Sequence, residues 1–559
     1  MMQYFQFDNL SYFVGFFIYF FSFLIIIYSI GFMRGKKGLA LYYLYIILTL
    51  VISLGAVFSN NLILFIVFWG FLGLLLYLLI GFGEKETTSA TAKKAFIIIG
   101  GTDAVMLLGL AIVWKISGTL QMDKISIALN SKSAIVAYLC LAVGAFAKAG
   151  AMPFHTWVPD TAEDAPTSVT AFLPASLDKL LGIYFLARIS LNLFQMNSAI
   201  NTVLMVVGSF TIIAAVMMAL IQHDLKRLLG YHAVSQVGYM ILGIGTGNPI
   251  GIAGGLFHMV NNAIYKSCLF LSSGAVEKTS GTSDLEKLGG RAKIMPITFL
   301  AFLIASLAIS GVPPFNGFAS KWMIYQGIIE TGKNGGWIWI IWLVSAMFGS
   351  ALTLASFMKL IHAVFLGQPA SSSPTVMEGS IEEQSSKNKE RNLGAELLAP
   401  SIILAALCIV FGIFVYQIPL KIFIFPALKE GVVFSGMWDA SMATILIIAG
   451  IIIGLIIYLL GTATKLRETE IFVGGETLKE CSEMRISGAE FYDSVRDIGV
   501  LKFIYGLAEK KLFDIYEVCA KITFGVNSVL REIHNGVLPS YLSWCLLGMG
   551  ILFYILLIR

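Results

Sequence analysis

Fourteen stretches of mainly apolar residues dominate this 559-residue chain. Each approaches the roughly 20 residues a helix needs to cross a bilayer. They fall near 10–33, 39–58, 61–82, 95–114, 133–157, 168–190, 201–222, 226–245, 250–275, 295–328, 337–365, 398–417, 441–461 and 540–558. Hydrophobic residues make up 57% of the chain and charged residues 13%, against roughly 25% charged in a soluble protein. The 38 basic and 33 acidic side chains are too few to solvate a folded surface of this size. A soluble enzyme and a disordered chain are therefore excluded. The net charge of +5 is too small and too scattered for nucleic acid to be a partner. The six cysteines show no C-x-x-C spacing, which argues against a disulfide framework, a zinc site or an iron–sulfur cluster. The first apolar run is too long for a signal h-region and no small-residue cleavage site follows it, so it is expected to remain as a span. The chain reads as an all-α polytopic membrane protein.

Basic residues cluster after odd-numbered spans (Arg34, Lys36, Lys37, Lys85, Lys93, Lys94, Lys226, Arg227, Lys278, Lys287, Arg291, Lys293) and are sparse after even-numbered ones. The positive-inside rule then places the odd loops in the cytoplasm and both termini outside a cell membrane. Two segments break the helical pattern at their centres, at Gly150 and Pro153 and at Gly311, Pro313 and Pro314. Both carry G-x-x-P-F, in the fifth and tenth spans. Discontinuous helices in corresponding places predict an inverted repeat with an ion path at the breaks. The organisation expected is an N-terminal span (1–38), five-helix repeats at 39–190 and 201–330, and further helices over 337–464 with a polar loop at 368–394. A soluble-side region at 465–539 and a last span at 540–559 complete it. Within 490–534 apolar residues recur every three to four positions among Lys502, Glu509, Lys510 and Lys511, which predicts a long amphipathic helix on the cytoplasmic side.

Ionisable residues far from either interface are the informative ones. Lys148 precedes the first break, Lys179 follows in span six beside Asp178, His258 and Lys266 share span nine, Lys321 follows the second break, and Asp103 lies in span four. A charge at mid-bilayer costs a few kcal/mol even on lenient scales. Singly, each lysine is explained by snorkelling or a static pair; four with a histidine in adjacent spans point to a proton path. His155 and His232 read as satisfied structural histidines, and no pair suits a haem.

At these residues a resemblance becomes specific. DLKRLLGYHAVSQVGYM (224–240), FHMVNNAIYKSCLFLSSGAV (257–276) and GVPPFNGFASKWMIY (311–325) resemble the antiporter-like subunits of respiratory complex I and of Mrp-type cation/proton antiporters. Residues 155–189 look closer to large membrane subunits of energy-converting (Ech-type, group 4) hydrogenases. The resemblance implies two inverted five-helix repeats, a half-channel in each, and a central axis carrying H⁺ or Na⁺ through Lys148, Lys179, His258, Lys266 and Lys321. It implies that 490–534 is a lateral helix strapping neighbouring subunits, and that NiFe, iron–sulfur clusters or flavin reside only in peripheral redox partners. The family usually begins with two further helices. Its Trp-Glu pair reads Trp69-Gly70 here, so Lys148 lacks the expected glutamate. Asp103 or Asp178 then takes that place, or the subunit couples neighbouring pumps without conducting. An Mrp-type antiporter subunit is the alternative to a redox-driven complex.

Overall fold

A computed structural model describes residues 4–333, 335–367, 393–428, 440–460, 492–534 and 536–558, with isolated positions between 431 and 434. Most of the expected polar loop at 368–394 and the stretch 461–491 lie outside the described residues.

Each of the fourteen apolar segments corresponds to a helix or a broken pair. They are α1 (Asn9–Phe32), α2 (Leu39–Phe58), α3 (Leu62–Ile80), α4 (Thr88–Ser117), α5 (Lys132–Ala149) with α6 (Trp157–Asp164), α7 (Thr167–Leu193), α8 (Ser198–Leu220), α9 (Leu225–Gly245), α10 (Pro249–Ser280), α11 (Pro296–Ser310) with α12 (Asn316–Gly332), α13 (Ile338–Leu366), α14 (Ala395–Ile413), α15 (Ala440–Leu460) and, last, Leu538–Ile558. Ten of the described helices are long and apolar enough to cross a membrane. Polar caps set where several begin: Asp8, Asn61, Ser131, Asn197, Asp224 and Asn248 each accept a backbone N–H from the first turn. Helices α9 and α10 are buried along almost their whole length. Close approach there depends on glycine. A Cβ on Gly238 would lie 2.6 Å from the Gly208 carbonyl oxygen, so α8 and α9 touch backbone to backbone.

The two breaks are built alike. Gly150 (φ 78°) and Gly311 (φ 82°) end α5 and α11 in the left-handed region. The following N–H returns to the helix in each, Ala151 to Phe146 at 2.8 Å and Val312 to Leu307 at 3.0 Å, the bonding of a Schellman C-cap. The Met152–Pro153 and Pro313–Pro314 peptides are both cis.

The correspondence extends beyond the breaks. The bridge Asn61↔Gln121 is matched by Asp224↔Asp284, and the 3₁₀ turn Met122–Lys124 by Leu285–Lys287. The strand pair Ile127–Ala128 with Phe194–Gln195 is matched by Arg291 and Ala292 donating to Val364 and Phe365. Helices α7 and α13 both end in a π-helical turn, at Ile189–Leu193 and His362–Leu366. Pairing these features carries the second set through α13, past residue 330.

The chain divides into two compact units, Met1–Arg496 and Asp497–Arg559. The single long amphipathic helix expected over 490–534 is broken: a short helix, Asp493–Arg496, closes the first unit, and the second holds two helices, α16 (Gly499–Glu509) and α17 (Ile515–Ile533). Lys511, at φ 56°, ends α16, and Asp514 caps α17 through the Tyr516 N–H. A periodic pattern continues across such a turn because it registers side-chain polarity and not one residue's φ. The last helix, Leu538–Ile558, becomes α18.

Candidate functional site

Five of the site residues expected from sequence, Lys148, Lys179, His258, Lys266 and Lys321, are buried, as is Asp178; Asp103 is half-buried. They form two groups flanking the breaks.

In the first group, Lys148 Nζ donates to the Trp69 carbonyl at 3.4 Å and lies 5.0 Å from the centre of the indole ring. The same indole donates its Nε1–H to Asp103 Oδ1 at 2.9 Å. Trp69 thus stands between the lysine and the carboxylate, and among the described residues no direct ion pair joins them. Lys148 is within electrostatic reach of Asp178 and Asp103. Lys179 Nζ sits 5.7 Å from the Trp157 ring centre and close to Gly150, where an added Cβ would come within 3.1 Å of it. Neither Lys179 Nζ nor Asp178 Oδ2 has a hydrogen-bond partner among the described residues. Both follow a π-helical turn, Leu173–Leu177, that contains Pro174; such turns change the angular register of all that follows and recur at functional sites. Gly70, where the resemblance expects glutamate, is exposed, with open space where a Cβ would be.

In the second group, Lys321 Nζ donates to the Ile309 carbonyl at 2.9 Å, beneath the Tyr239 ring at 4.6 Å. Tyr239 is fixed by hydrogen bonds to the Ala346 carbonyl and Ser350. Lys266 Nζ donates to the Leu229 carbonyl at 2.9 Å and lies 5.6 Å from the Phe357 ring centre. His232 is buried and bonded to Ser356 Oγ at 2.7 Å. It lies within electrostatic reach of Lys266 and Lys321, inside the polar interior. His258 bonds Ser320 through Nδ1 and Gln236 through Nε2. Between the groups, Asn262 donates to the Ala175 carbonyl, and Lys179 is near enough to Lys266 for the two to repel. Asn261 on α10 and Asn316 at the start of α12 bond to one another beside the second break.

Gln236, Tyr239, Tyr265 and Ser320 were not singled out from sequence, and Trp69 was noted only for the glutamate missing beside it. Neutral polar residues in a span carry no charge cost to flag them, although the run Ser235-Gln236…Tyr239 in an apolar helix is a visible signal. A second feature missed is the ion cluster around α6. Asp160 meets Lys94 at 2.7 Å and Arg227 at 3.1 Å, and Glu163 meets Arg227 at 2.7 Å and Lys85 at 3.3 Å. Asp164 accepts from Thr87 and Thr91.

Two helix sets broken at matching Schellman turns, each with a buried lysine at its break, define an antiporter-like membrane subunit. The chain belongs to the NADH:quinone oxidoreductase/Mrp antiporter transmembrane family, whose model matches residues 59–353. It is 33% identical over 415 residues to Na(+)/H(+) antiporter subunit A1 of Staphylococcus haemolyticus, covering 70% of this chain and 50% of that protein. It is 35% identical over 400 residues to F(420)H(2) dehydrogenase subunit L of Methanosarcina mazei, covering 64% and 58%. The chain thus spans about half the length of the curated relatives it matches. The same fold occurs in a membrane-bound sulfane sulfur reductase, an archaeal respiratory membrane complex, with TM-score 0.76 and 22% identity over 99% of this chain and 89% of that one. It occurs also in the Mrp complex from Dietzia sp. DQ12-45-1b, with TM-score 0.68 and 24% identity over 76% and 84%.

Proposed function

We propose that this chain moves protons or sodium ions across the cell membrane as one subunit of a redox-driven, hydrogenase-like complex, through Lys148, Lys179, Lys266, His258 and Lys321. The observation that carries the reading is the repetition: each break leaves a left-handed glycine beside a buried ammonium that, among the described residues, is held by a backbone carbonyl and an aromatic face. Such a lysine has no fixed counter-ion among the described residues, so its charge responds to any change in the placement of Asp178, Asp103 or a neighbouring lysine. Asp178 and Asp103 are the carboxylates that modulate the first break. Electron-carrying groups, whether NiFe, iron–sulfur or flavin, belong in this reading to peripheral partners, and α16 and α17 pack along neighbouring subunits on the cytoplasmic side, with both termini outside.

Reconstituted in proteoliposomes as the intact complex, Lys148→Ala and Lys321→Ala variants should lose ion pumping while redox turnover persists. Unchanged pumping in both would overturn the assignment. A pH-sensitive dye and ²²Na⁺ uptake distinguish the two ions. The subunit composition of the purified complex separates a redox-driven assembly from an Mrp-type antiporter.

Gly70 supports a second reading, a subunit that couples neighbouring pumps without conducting. In that case Gly70→Glu changes pumping more than Lys148→Ala does. Loss of transport on Lys148→Ala alone rules it out.

A further inference from the structure

Among the described residues, His258 is the histidine of the second set whose two ring nitrogens both meet protein side chains, and those partners differ in kind. Nε2 lies 3.1 Å from Gln236 Oε1. With the amide turned so that its oxygen faces the ring, that oxygen only accepts, and Nε2 carries the proton. The Tyr265 hydroxyl, 3.4 Å from the same Oε1 and 3.3 Å from Nε2, donates to that oxygen as well. Gln236 Oε1 therefore faces both donors. On the other side Nδ1 lies 2.9 Å from Ser320 Oγ and is left to accept. The serine hydroxyl also has carbonyls within reach, Gly317 at 3.2 Å and Asn316 at 3.5 Å. It can turn its proton toward the ring or away from it.

We infer that Gln236 is a positioning residue that fixes the His258 tautomer, so that His258 takes up and returns a proton only at Nδ1, on the side of Ser320 and the second broken helix. This rests on the proton-carrying reading above and sharpens it: His258 is a one-sided store and not a through-relay. On uptake the Ser320 hydroxyl gives its proton to Nδ1 while its oxygen takes one from an arriving hydronium ion. The serine is unchanged, a water molecule leaves, and the positive charge rests on the imidazolium. The proton on Nε2 has no exit, because the amide oxygen facing it is too weak a base to accept and Tyr265 already donates. On release the steps reverse along the same side.

The test is ¹⁵N solid-state NMR of the full complex in lipid, with histidine labelled at Nδ1 or at Nε2 and the His258 signal assigned by its loss in His258→Gln. The expected wild-type result is an unprotonated Nδ1 and a protonated Nε2. In Gln236→Leu the acceptor is gone, and the Tyr265 hydroxyl becomes the nearest donor to Nε2. The Nε2–H signal should then be lost and an Nδ1–H signal gained. Gln236→Glu keeps an acceptor in place and should retain the wild-type pattern. An Nδ1–H tautomer in the wild type, or Nε2–H persisting in Gln236→Leu, overturns the inference; the wild-type spectrum decides even where the variant fails to assemble. The tautomer is read without turnover. Failure to move protons therefore overturns the transport reading alone, and the wrong tautomer overturns this one alone.

Discussion

Lys148 lies two residues before its left-handed glycine and Lys321 ten residues after the equivalent one, yet both ammonium groups end beside a break. Such residues are legible in sequence because a lysine amid apolar neighbours is conspicuous whatever it touches. Their partners are not, because the contacts run across helices distant in sequence. Asp103 was a candidate partner for Lys148 by its charge and depth. The intervening Trp69, whose indole donates to the carboxylate and whose carbonyl receives the lysine, is marked in sequence only as the first half of a Trp-Glu pair, which says nothing of an indole standing between the two charges. Trp69→Phe removes that donor from a half-buried carboxylate. It should lower stability by about 1–3 kcal/mol, seen as a lower melting temperature of the purified complex.

The fourteen helical segments were legible because twenty apolar residues admit few alternatives in a bilayer. The tightest packing was not, since a glycine in a helix reads the same whether it faces lipid or another backbone. Gly238 and Gly101 illustrate the difference: the first has the Gly208 carbonyl oxygen 2.6 Å from where a Cβ would be, the second has open space. Gly238→Ala should force α8 from α9 and cost about 1–3 kcal/mol, whereas Gly101→Ala should be neutral or stabilising by up to about 1 kcal/mol; thermal unfolding of the two variants side by side checks both. The turn between α16 and α17 was hidden for the reason its apolar residues Leu512 and Phe513 suggest, a hydrophobic rhythm that continues where the backbone does not. Lys511→Gly relieves a left-handed φ of 56° and should stabilise that turn by roughly 0.5–1 kcal/mol, measurable as slower amide exchange over 505–516.

For the whole molecule, two five-residue matches were enough to suggest a repeat, but its reach through α13 depends on bridges and turn geometry that leave no motif. The first unit is also tied from its beginning. Asp8, ahead of α1, forms an ion pair with the buried Arg188 near the end of α7, which also bonds Ser11 and Tyr184. Burial works to raise the Asp8 carboxyl, but the Arg188 guanidinium and the Ser11 N–H outweigh it and hold its pKa below the usual value. A lowered folded-state pKa means that its stabilisation is complete above the ordinary carboxylate range near 3.9 and is lost as pH falls through the lower folded value. The stability gap between wild type and Asp8→Asn should therefore be constant at neutral pH and close in strong acid; a gap that widens there would contradict it. The ion cluster around α6 acts at the same scale. Its acids belong to the first broken helix, yet Lys85 and Lys94 hold them from one repeat and Arg227 from the other, while a Cβ added at Gly230 of α9 would lie 2.7 Å from the Pro159 Cα. In mechanical terms α6 is a pin through both halves and not a flap on one of them. A tilt that begins at either break loads the opposite half at once, so the two halves of the subunit are geared to move as a pair.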